Sequence, residues 1–510
     1  MRRCSVTNEP APLTEGMKVE GVRKLDGTVA GGIAWTAGAK GATQLLTWAS
    51  TLIAARLLSP ADFGIVGMAG LFSNFLSVLS EFGLGTAALQ MPELDASVLK
   101  QLNAAAAMIC TLVYGIAALS APLVAAFFKS DQLKLLVVVN SFGLVIIGFQ
   151  SVPTGLLQKD LDYRRLSFIE ATQALVMAAG TVSAALMGYA YWSLVVGATA
   201  GRFAALCLTY WWKPVGFKFP RWKDIEAPMR LGMHVAVGRI AAGAYLVSDG
   251  IVVGKMLGES ALGAYQLALA LASAPADKIG ALLMRVTGPL FAKIQTDSEA
   301  IRRYFRTFSE SLSLSIMPMM FGLAVVAPEA VRLLLGPKWM AAVGPIRWLA
   351  LFMGVRDLSV LVSQVLTSLR YTRFIMWMSI LGAVLMPAAF VVASHWGLSA
   401  VAASWVILAP VTLLPLLVKL MRTIGFRYRD YFEVLTPAVI GSITMALGVL
   451  ALRVFLNPHD IGTVPKLVLQ VIVGAAAYAG FLQLFYRERL HRYVNFLVAL
   501  RRGKAEVSVA

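Results

Sequence analysis

The sequence is short of charge. Asp, Glu, Lys and Arg make up 14% of its 510 residues, against about 25% in an average soluble domain. Acid is scarcest: 27 Asp and Glu face 45 Lys and Arg, a formal net charge of +18. Hydrophobic residues reach 58%, spread over most of the chain, and this excludes a water-soluble globule. No basic face on a soluble domain is visible, so the positive balance does not point to nucleic acid. Cysteine is nearly absent. Cys4 lies in a polar leader, and Cys110 and Cys207 lie in apolar runs. Without a CxxC or Cys/His spacing, neither a disulfide framework nor a structural zinc site is expected. The histidines, His234, His395, His459 and His491, are scattered, and no metal or cofactor is implied. Residues 1–30 lack the short apolar core of a secretory signal. With Arg2, Arg3, Lys18, Arg23 and Lys24 they read as a disordered cytoplasmic leader, the first span serving as the targeting signal.

Apolar length is abundant. A membrane-crossing helix needs roughly 20 mostly apolar residues. Fourteen such stretches follow one another, at 31–55, 63–84, 104–127, 134–157, 168–188, 191–212, 230–254, 262–285, 308–331, 340–367, 374–394, 397–418, 434–456 and 465–486. The expected fold is therefore all-α and polytopic. Pro318, Pro387, Pro410 and Pro415 lie inside spans, where neighbouring helices tolerate kinks. Cytoplasmic loops of membrane proteins hold an excess of Lys and Arg. With the first residue placed inside, 30 basic residues fall on the cytoplasmic side, eight on the outer side and seven within spans. Both termini are expected in the cytoplasm. The outer loops are short, Asn457–Pro465 being the longest, and leave no room for an external catalytic domain.

A shift of 199 residues lays Arg56-Leu57-Leu58-Ser59-Pro60-Ala61-Asp62-Phe63-Gly64 on Lys255-Met256-Leu257-Gly258-Glu259-Ser260-Ala261-Leu262-Gly263. Leu58/Leu257, Gly64/Gly263 and Ala69/Ala268 coincide, Arg56/Lys255 keep their charge, and Lys40 falls on Arg239. The offset covers six spans, an even number, so both copies share one orientation. Parallel repeats of this kind are a transporter architecture with the site between the halves. The expected organisation is a leader (1–30), an N-lobe of spans 1–6 (31–212) and a basic linker (213–229). A C-lobe of spans 7–12 (230–418), spans 13–14 (434–486) and a basic amphipathic tail (487–510) follow.

The seven basic residues within spans are Lys40, Arg202, Arg239, Lys278, Arg285, Arg347 and Arg356. Each costs about 2.5–3.5 kcal/mol at a helix centre, so such residues usually face a polar cavity. Lys40 and Arg239 each lie about ten residues, roughly 15 Å, from a cytoplasmic span start. Asp249, Asp277 and Asp357 are the acids within spans, with Glu81 and Glu170 near span ends. Span 8 carries Gln266, Ser273 and Asp277 in one stripe, with Lys278 and Arg285 in a second beside it. The positive excess suits an anion such as a phosphate, which ammonium and guanidinium groups hydrogen-bond with charge assistance. The candidate cavity is Lys40, Arg202, Arg239, Lys278, Arg347 and Arg356. Asp249, Asp277 and Asp357 serve either charge pairing or ion coupling. The plainer readings are that Arg285 snorkels to headgroups, that Asp277-Lys278 and Arg356-Asp357 neutralise charge locally, and that Arg202 pairs with a carbonyl or an acid. Residues 488–502 resemble an interfacial amphipathic helix. Lys213–Lys223, with Trp211, Trp212 and Trp222, resembles an interface belt that attracts anionic lipid.

Three stretches resemble a known family: Arg56–Gly64, Gly155-Leu156-Leu157-Gln158-Lys159-Asp160-Leu161-Asp162-Tyr163-Arg164-Arg165-Leu166, and Tyr191-Trp192-Ser193-Leu194-Val195. Asp249 through Tyr265, with Gly254, Leu257-Gly258 and Leu262-Gly263, adds a fourth. They are similar to the polysaccharide-transport branch, with its Wzx-type exporters, of the multidrug/oligosaccharidyl-lipid/polysaccharide flippase superfamily. The resemblance implies a fourteen-span, two-lobed flippase of the bacterial inner membrane and no enzyme activity. It would move undecaprenyl-diphosphate-linked oligosaccharide to the outer leaflet by alternating access, for exopolysaccharide or lipopolysaccharide biosynthesis. Its partners would be that lipid, the bilayer and the polysaccharide polymerase or export machinery. Peptidoglycan-precursor flippases of the superfamily carry an arginine cluster in the first lobe, which only Lys40 and Arg56 match here. Competing readings are a cation-coupled multidrug antiporter, which needs a carboxylate excess in the cavity, and a membrane glycan polymerase or ligase, which needs catalytic groups at the outer face, where His459 and Asp460 are scattered candidates. A purely structural subunit would leave the intramembrane charges unexplained.

Overall fold

The computed structural model describes residues 38, 40–80, 95–221, 226, 247–456 and 462–493, without the side chains of 78–80 and 281–285. Among the described residues there is no strand. The N-terminal half holds α1 (40–57), α2 (Pro60–Ser80), α3 (Ala96–Phe128), α4 (Leu133–Lys159), α5 (Tyr163–Leu186) and α6 (Trp192–Trp212). The second half holds α7 (247–257), α8 (Glu259–Lys293), α9 (Ser298–Leu334), α10 (Val343–Ser368), α11 (Thr372–Ser394) and α12 (Leu398–Ile424). Then come α13 (Tyr428–Leu456), α14 (Thr463–Phe485) and the short α15 (487–493). Ten of the described helices are long and apolar enough to cross a membrane: α3–α6 and α9–α14. The others, α1, α2, α7 and α8, stand where the sequence places spans 1, 2, 7 and 8. Helix α8 carries Glu259, Asp277, Lys278, Arg285 and Lys293, a load that a helix sheltered between two halves can hold and a lipid-exposed helix cannot.

Local chemistry sets the helix ends. Ser59 and Asp62 form a capping box before α2: the Asp62 carboxylate accepts from the Ser59 N–H at 2.8 Å and from its hydroxyl at 2.6 Å. Pro60 occupies the first helical position, where its missing N–H costs nothing. Asp297 caps α9 by accepting from the N–H groups of Glu299 and Ala300 at 3.0 and 2.9 Å. That cap starts α9 three turns before the apolar stretch at 308, so the helix reaches well past its hydrophobic part.

Within the first half α3 packs on α4, α5 on α6 and α2 on α4; within the second, α8 and α9 pack on α10, and α10 and α11 on α12. Helices α13 and α14 dock on α9. An Arg453–Glu329 pair at 3.1 Å, an Arg489–Glu310 pair at 3.6 Å and a Tyr478 hydroxyl donating to the Leu314 carbonyl at 3.0 Å tie the docked elements to α9. The described start of the tail belongs to this interface. Tyr493 and Ser315 share a hydrogen bond of 2.7 Å, and Arg489 donates to the Glu433 carbonyl at 2.8 Å, so residues 487–493 hold the bundle. The rest of the tail, the leader and residues 222–225 and 227–229 of the linker lie outside the described residues. The start of the linker is pinned: Lys213 pairs with Asp160 at 2.5 Å, Lys218 donates to the Ser97 hydroxyl at 2.6 Å, and the Arg221 N–H donates to Gln101 at 2.7 Å. Those two lysines are engaged by protein, which removes them from the lipid-attracting group.

The main contact between the halves is α2 on α8, and it is reciprocal. Any Cβ at Gly64 would overlap the Glu259 carbonyl, and any Cβ at Gly263 would overlap the Pro60 carbonyl. Glu259 is Pro60 shifted by 199 residues, and Gly263 is Gly64 shifted by the same amount. A Cβ at Gly67 would touch Gln266, its own counterpart, at 3.6 Å. Contact of i with j together with j with i marks a two-fold axis, so the weak sequence repeat is a packing symmetry. Glycine is required at both positions because the helix backbones approach that closely.

The same symmetry recurs in charge. Arg56, at the end of α1, donates to the carbonyl oxygens of Leu333 and Leu334, the latter at 2.8 Å, at the end of α9. Lys255, at the end of α7, donates to the Phe127 carbonyl at the end of α3. Each half thus caps the orphan carbonyls and negative dipole end of a helix in the other. Trp339 donates to the Ala55 carbonyl and Lys338 to the Arg56 carbonyl, both at 2.8 Å. The halves are closed on each other at the end that the charge rule assigns outside.

Candidate functional site

Below the closed end a cleft of about 410 Å³ lies between α1 and α8. Helix α1 contributes Gln44, Thr47, Trp48 and Thr51, and α8 contributes Ser273, Asp277 and Lys278. Asp277 lies 18 residues into α8, about 27 Å from the closed end at 1.5 Å per residue. Of the stripe read from spacing on span 8, Ser273 and Asp277 face α1 across a gap, while Gln266 packs against Gly67 of α2 and Gly250 of α7.

Arg356 of α10 joins two of the acids. Its guanidinium lies 2.6 Å from Asp277 and 2.9 Å from Asp357, and its Nε donates to Asp357 at 3.0 Å. Asp357 is 4% exposed, and its second carboxylate oxygen has no hydrogen-bond partner. Gly280 of α8 leaves room for that oxygen. The neutralisation expected between Arg356 and Asp357 is present and extends to a third residue on another helix. Lys278 is exposed in the cleft, and Arg347 is exposed in the second turn of α10. Neither forms an ion pair with a described residue.

The other predicted residues stand apart from this cleft. Lys40 of α1 lies 3.8 Å from Glu170 of α5, both half exposed. The acid missing near Lys40 in sequence arrives from another helix. Arg202 sits mid-way along α6 against α4, where a Cβ at Gly143 would collide with its guanidinium, and it pairs with no carboxylate among the described residues. Arg239 lies outside the described residues, as does Glu81, and the superposition of Lys40 on Arg239 remains an expectation.

Asp249 of α7 is 3% exposed. It accepts from the Tyr265 hydroxyl at 2.7 Å, the Trp405 indole N–H at 3.2 Å and the Gly250 N–H at 2.7 Å. Trp405 also donates to the Tyr265 oxygen at 3.1 Å. This binds α7, α8 and α12 around one carboxylate, with neutral donors and no cation among the described residues. Tyr265 and Trp405 carry no sequence signal, since a single aromatic in an apolar run reads as core. No group of three or more His, Cys, Asp or Glu suited to a metal occurs among the described residues.

Residues 53–344 match the family described as polysaccharide biosynthesis protein. The chain is similar to the lipopolysaccharide biosynthesis protein WzxC of Escherichia coli (strain K12), 26% identical over 311 residues, 56% of this chain and 59% of WzxC. It is also similar to the teichuronic acid biosynthesis protein TuaB of Bacillus subtilis (strain 168), 27% identical over 286 residues, 54% of this chain and 58% of TuaB. The match thus spans less than two thirds of either relative. The succinoglycan biosynthesis transport protein ExoT of Rhizobium meliloti (strain 1021) is 25% identical over 493 residues, 95% of this chain and 98% of ExoT. Among solved structures, the lipid II flippase MurJ in an inward closed conformation superposes with a TM-score of 0.69 at 12% identity, covering 89% of this chain and 99% of that one. An inward-facing multidrug resistance MATE family transporter of the MOP superfamily gives 0.62 at 13% identity, covering 75% and 94%. At those identities the likeness is one of fold. The chain is a membrane protein of the polysaccharide biosynthesis protein family.

Proposed function

We propose that this protein is a flippase that carries undecaprenyl-diphosphate-linked oligosaccharide across the bacterial inner membrane, with both termini in the cytoplasm. The observation that carries the reading is the one-sided closure: reciprocal contacts close the halves at one end, which the charge rule assigns outside, while a polar cleft opens between α1 and α8 below. Such a shape supports alternating access, in which the head of the lipid enters from the inner side and the tail stays in the bilayer. Lys278, Arg202, Arg347, Lys40, Arg356 and Arg239 are the proposed cationic contacts for diphosphate and acidic sugars. Lys278 is the favoured first contact, because it faces the cleft without a carboxylate partner among the described residues. An antiporter for cationic drugs finds less support, since Arg356 already engages Asp277 and Asp357. The reading assigns the chain no catalytic step, and its expected partners are the lipid-linked glycan, membrane lipids and the polymerase or export machinery.

Deletion of the gene is expected to leave lipid-linked oligosaccharide facing the cytoplasm and to stop polymer export. A changed drug sensitivity with normal polymer would favour the antiporter instead. Lys40→Ala or Arg239→Ala should lower export without loss of membrane-inserted protein; wild-type export in both would remove these residues from the cavity.

Asp249 is proposed as the ion-coupling group, because a carboxylate held only by neutral donors can change charge without breaking an ion pair. Asp249→Asn keeps the size of the side chain and one oxygen to accept from Tyr265 and Trp405, giving up only the acceptor for the Gly250 N–H. It should leave protein levels intact while export by vesicles stops responding to an imposed proton or sodium gradient. An unchanged gradient response would make the triad a purely structural anchor.

A further inference from the structure

A second cleft, of about 430 Å³, opens between α1, α4 and α5 near the ends of α4 and α5 that the charge rule places in the cytoplasm. Most of its polar wall is amide and hydroxyl, Gln150, Thr154 and Gln158 from α4 and Ser167 and Gln173 from α5, with Lys40, Lys159 and Glu170 as its charged members. Gln150 is explained by packing, since its amide donates to Thr209 of α6 at 3.1 Å. The others are not. Gln158, Gln173 and Thr154 make no side-chain hydrogen bond to a described residue. Ser167 is 2% exposed, and its hydroxyl has no partner among the described residues. A buried hydroxyl without a partner carries a desolvation cost of about 1–3 kcal/mol, which a ligand in the cleft would relieve.

The polar groups left unused at the cleft decide the ligand class. Lys40 and Glu170 both line it and pair with each other at 3.8 Å, and Lys159, the third charge in its wall, is engaged as well, which leaves the amides and hydroxyls for a ligand. Amides donate and accept at once, and serine and threonine hydroxyls do the same. That donor set matches vicinal hydroxyl groups. The volume lies within the usual range for small-molecule sites, about 300–1,000 Å³.

We propose that this cleft is a sugar-binding pocket, which holds the glycan head of the transported lipid at the cytoplasmic side before it passes between the halves. The assignment rests on the flippase reading and adds to it a glycan subsite of amides and hydroxyls that meets the cationic contacts for the diphosphate at Lys40. Gln158 and Gln173 are its specificity-determining residues.

The test uses the full-length protein in nanodiscs with two probes. One is lipid-linked oligosaccharide extracted from the deletion strain, and the other is undecaprenyl diphosphate without sugar. Gln158→Leu or Gln173→Leu should weaken binding of the glycan-bearing lipid about fivefold, and the double variant more than tenfold, as loss of neutral hydrogen bonds predicts. Binding of the bare diphosphate lipid should stay within about twofold of wild type. The pocket assignment is overturned if the double variant binds the glycan lipid normally, or if both probes weaken by the same factor. Wild-type protein that binds neither probe overturns the flippase reading itself. Gln158 is exposed, so its single variant carries the same test where the double variant fails to accumulate.

Discussion

Replacing Gly64 with alanine should lower polymer export about tenfold or more while leaving the protein in the membrane. The added methyl meets the Glu259 carbonyl, a backbone atom that cannot swing aside as a side-chain tip can. Helices α2 and α8 must then separate at the outer end. Overpacking of this kind costs about 1–3 kcal/mol, and each 1.4 kcal/mol changes a population tenfold. The cost falls on the outer-closed arrangement alone, so the balance moves toward one that is open outside. Gly263→Ala should match it, because its methyl meets the Pro60 carbonyl in the reciprocal contact. The check is labelling of a cysteine introduced by Ser260→Cys, with Cys4, Cys110 and Cys207 replaced by alanine, using an impermeant thiol reagent added from outside. Labelling should rise in both glycine variants. Unchanged labelling with normal export would mean that the junction does not move during transport.

The second large effect is expected at Arg356. Its removal leaves Asp357 buried with neither oxygen satisfied and Asp277 without its partner. Breaking a buried pair by deleting one member costs about 3–5 kcal/mol, because the remaining charge stays uncompensated. Arg356→Ala should therefore lose most folded protein at growth temperature, measured as a fall in unfolding midpoint in detergent. Adding Asp357→Asn to it should recover most of the loss. Arg356→Lys should fall between, since an ammonium cannot reach two carboxylates with a planar fork. Export in the double variant separates the two roles of Arg356. If protein and export recover together, the arginine serves α8–α10 packing; if protein recovers and export does not, it contacts substrate.

The glycines and Arg356 show how differently parts of this protein can be read. The helical, apolar character of the chain was legible in the sequence, and ten of the described helices are long and apolar enough to cross a membrane, because membrane crossing imposes length and polarity on each segment by itself. The repeat was faint in sequence, since apolar helices share residues by chance. It becomes definite in space, where Gly64 rests on Glu259 and Gly263 on Pro60. The polar stripe on α8 was legible as spacing. That Lys40 meets an acid while Lys278 meets none among the described residues depended on α5 and α10 arriving alongside. Gln158, Gln173 and Ser167 carried no signal, because polar residues 15 positions apart on two helices meet only once those helices pack.

By itself, then, the sequence determined the apolar character of each segment and the stock of charge along it. These follow from local composition, which one helix expresses without the others. Tertiary structure alone decided which charges are neutralised, which half caps which, and where polar groups are left unused. Those properties belong to pairs of side chains distant in sequence, and only packing brings the members of a pair within a few ångströms.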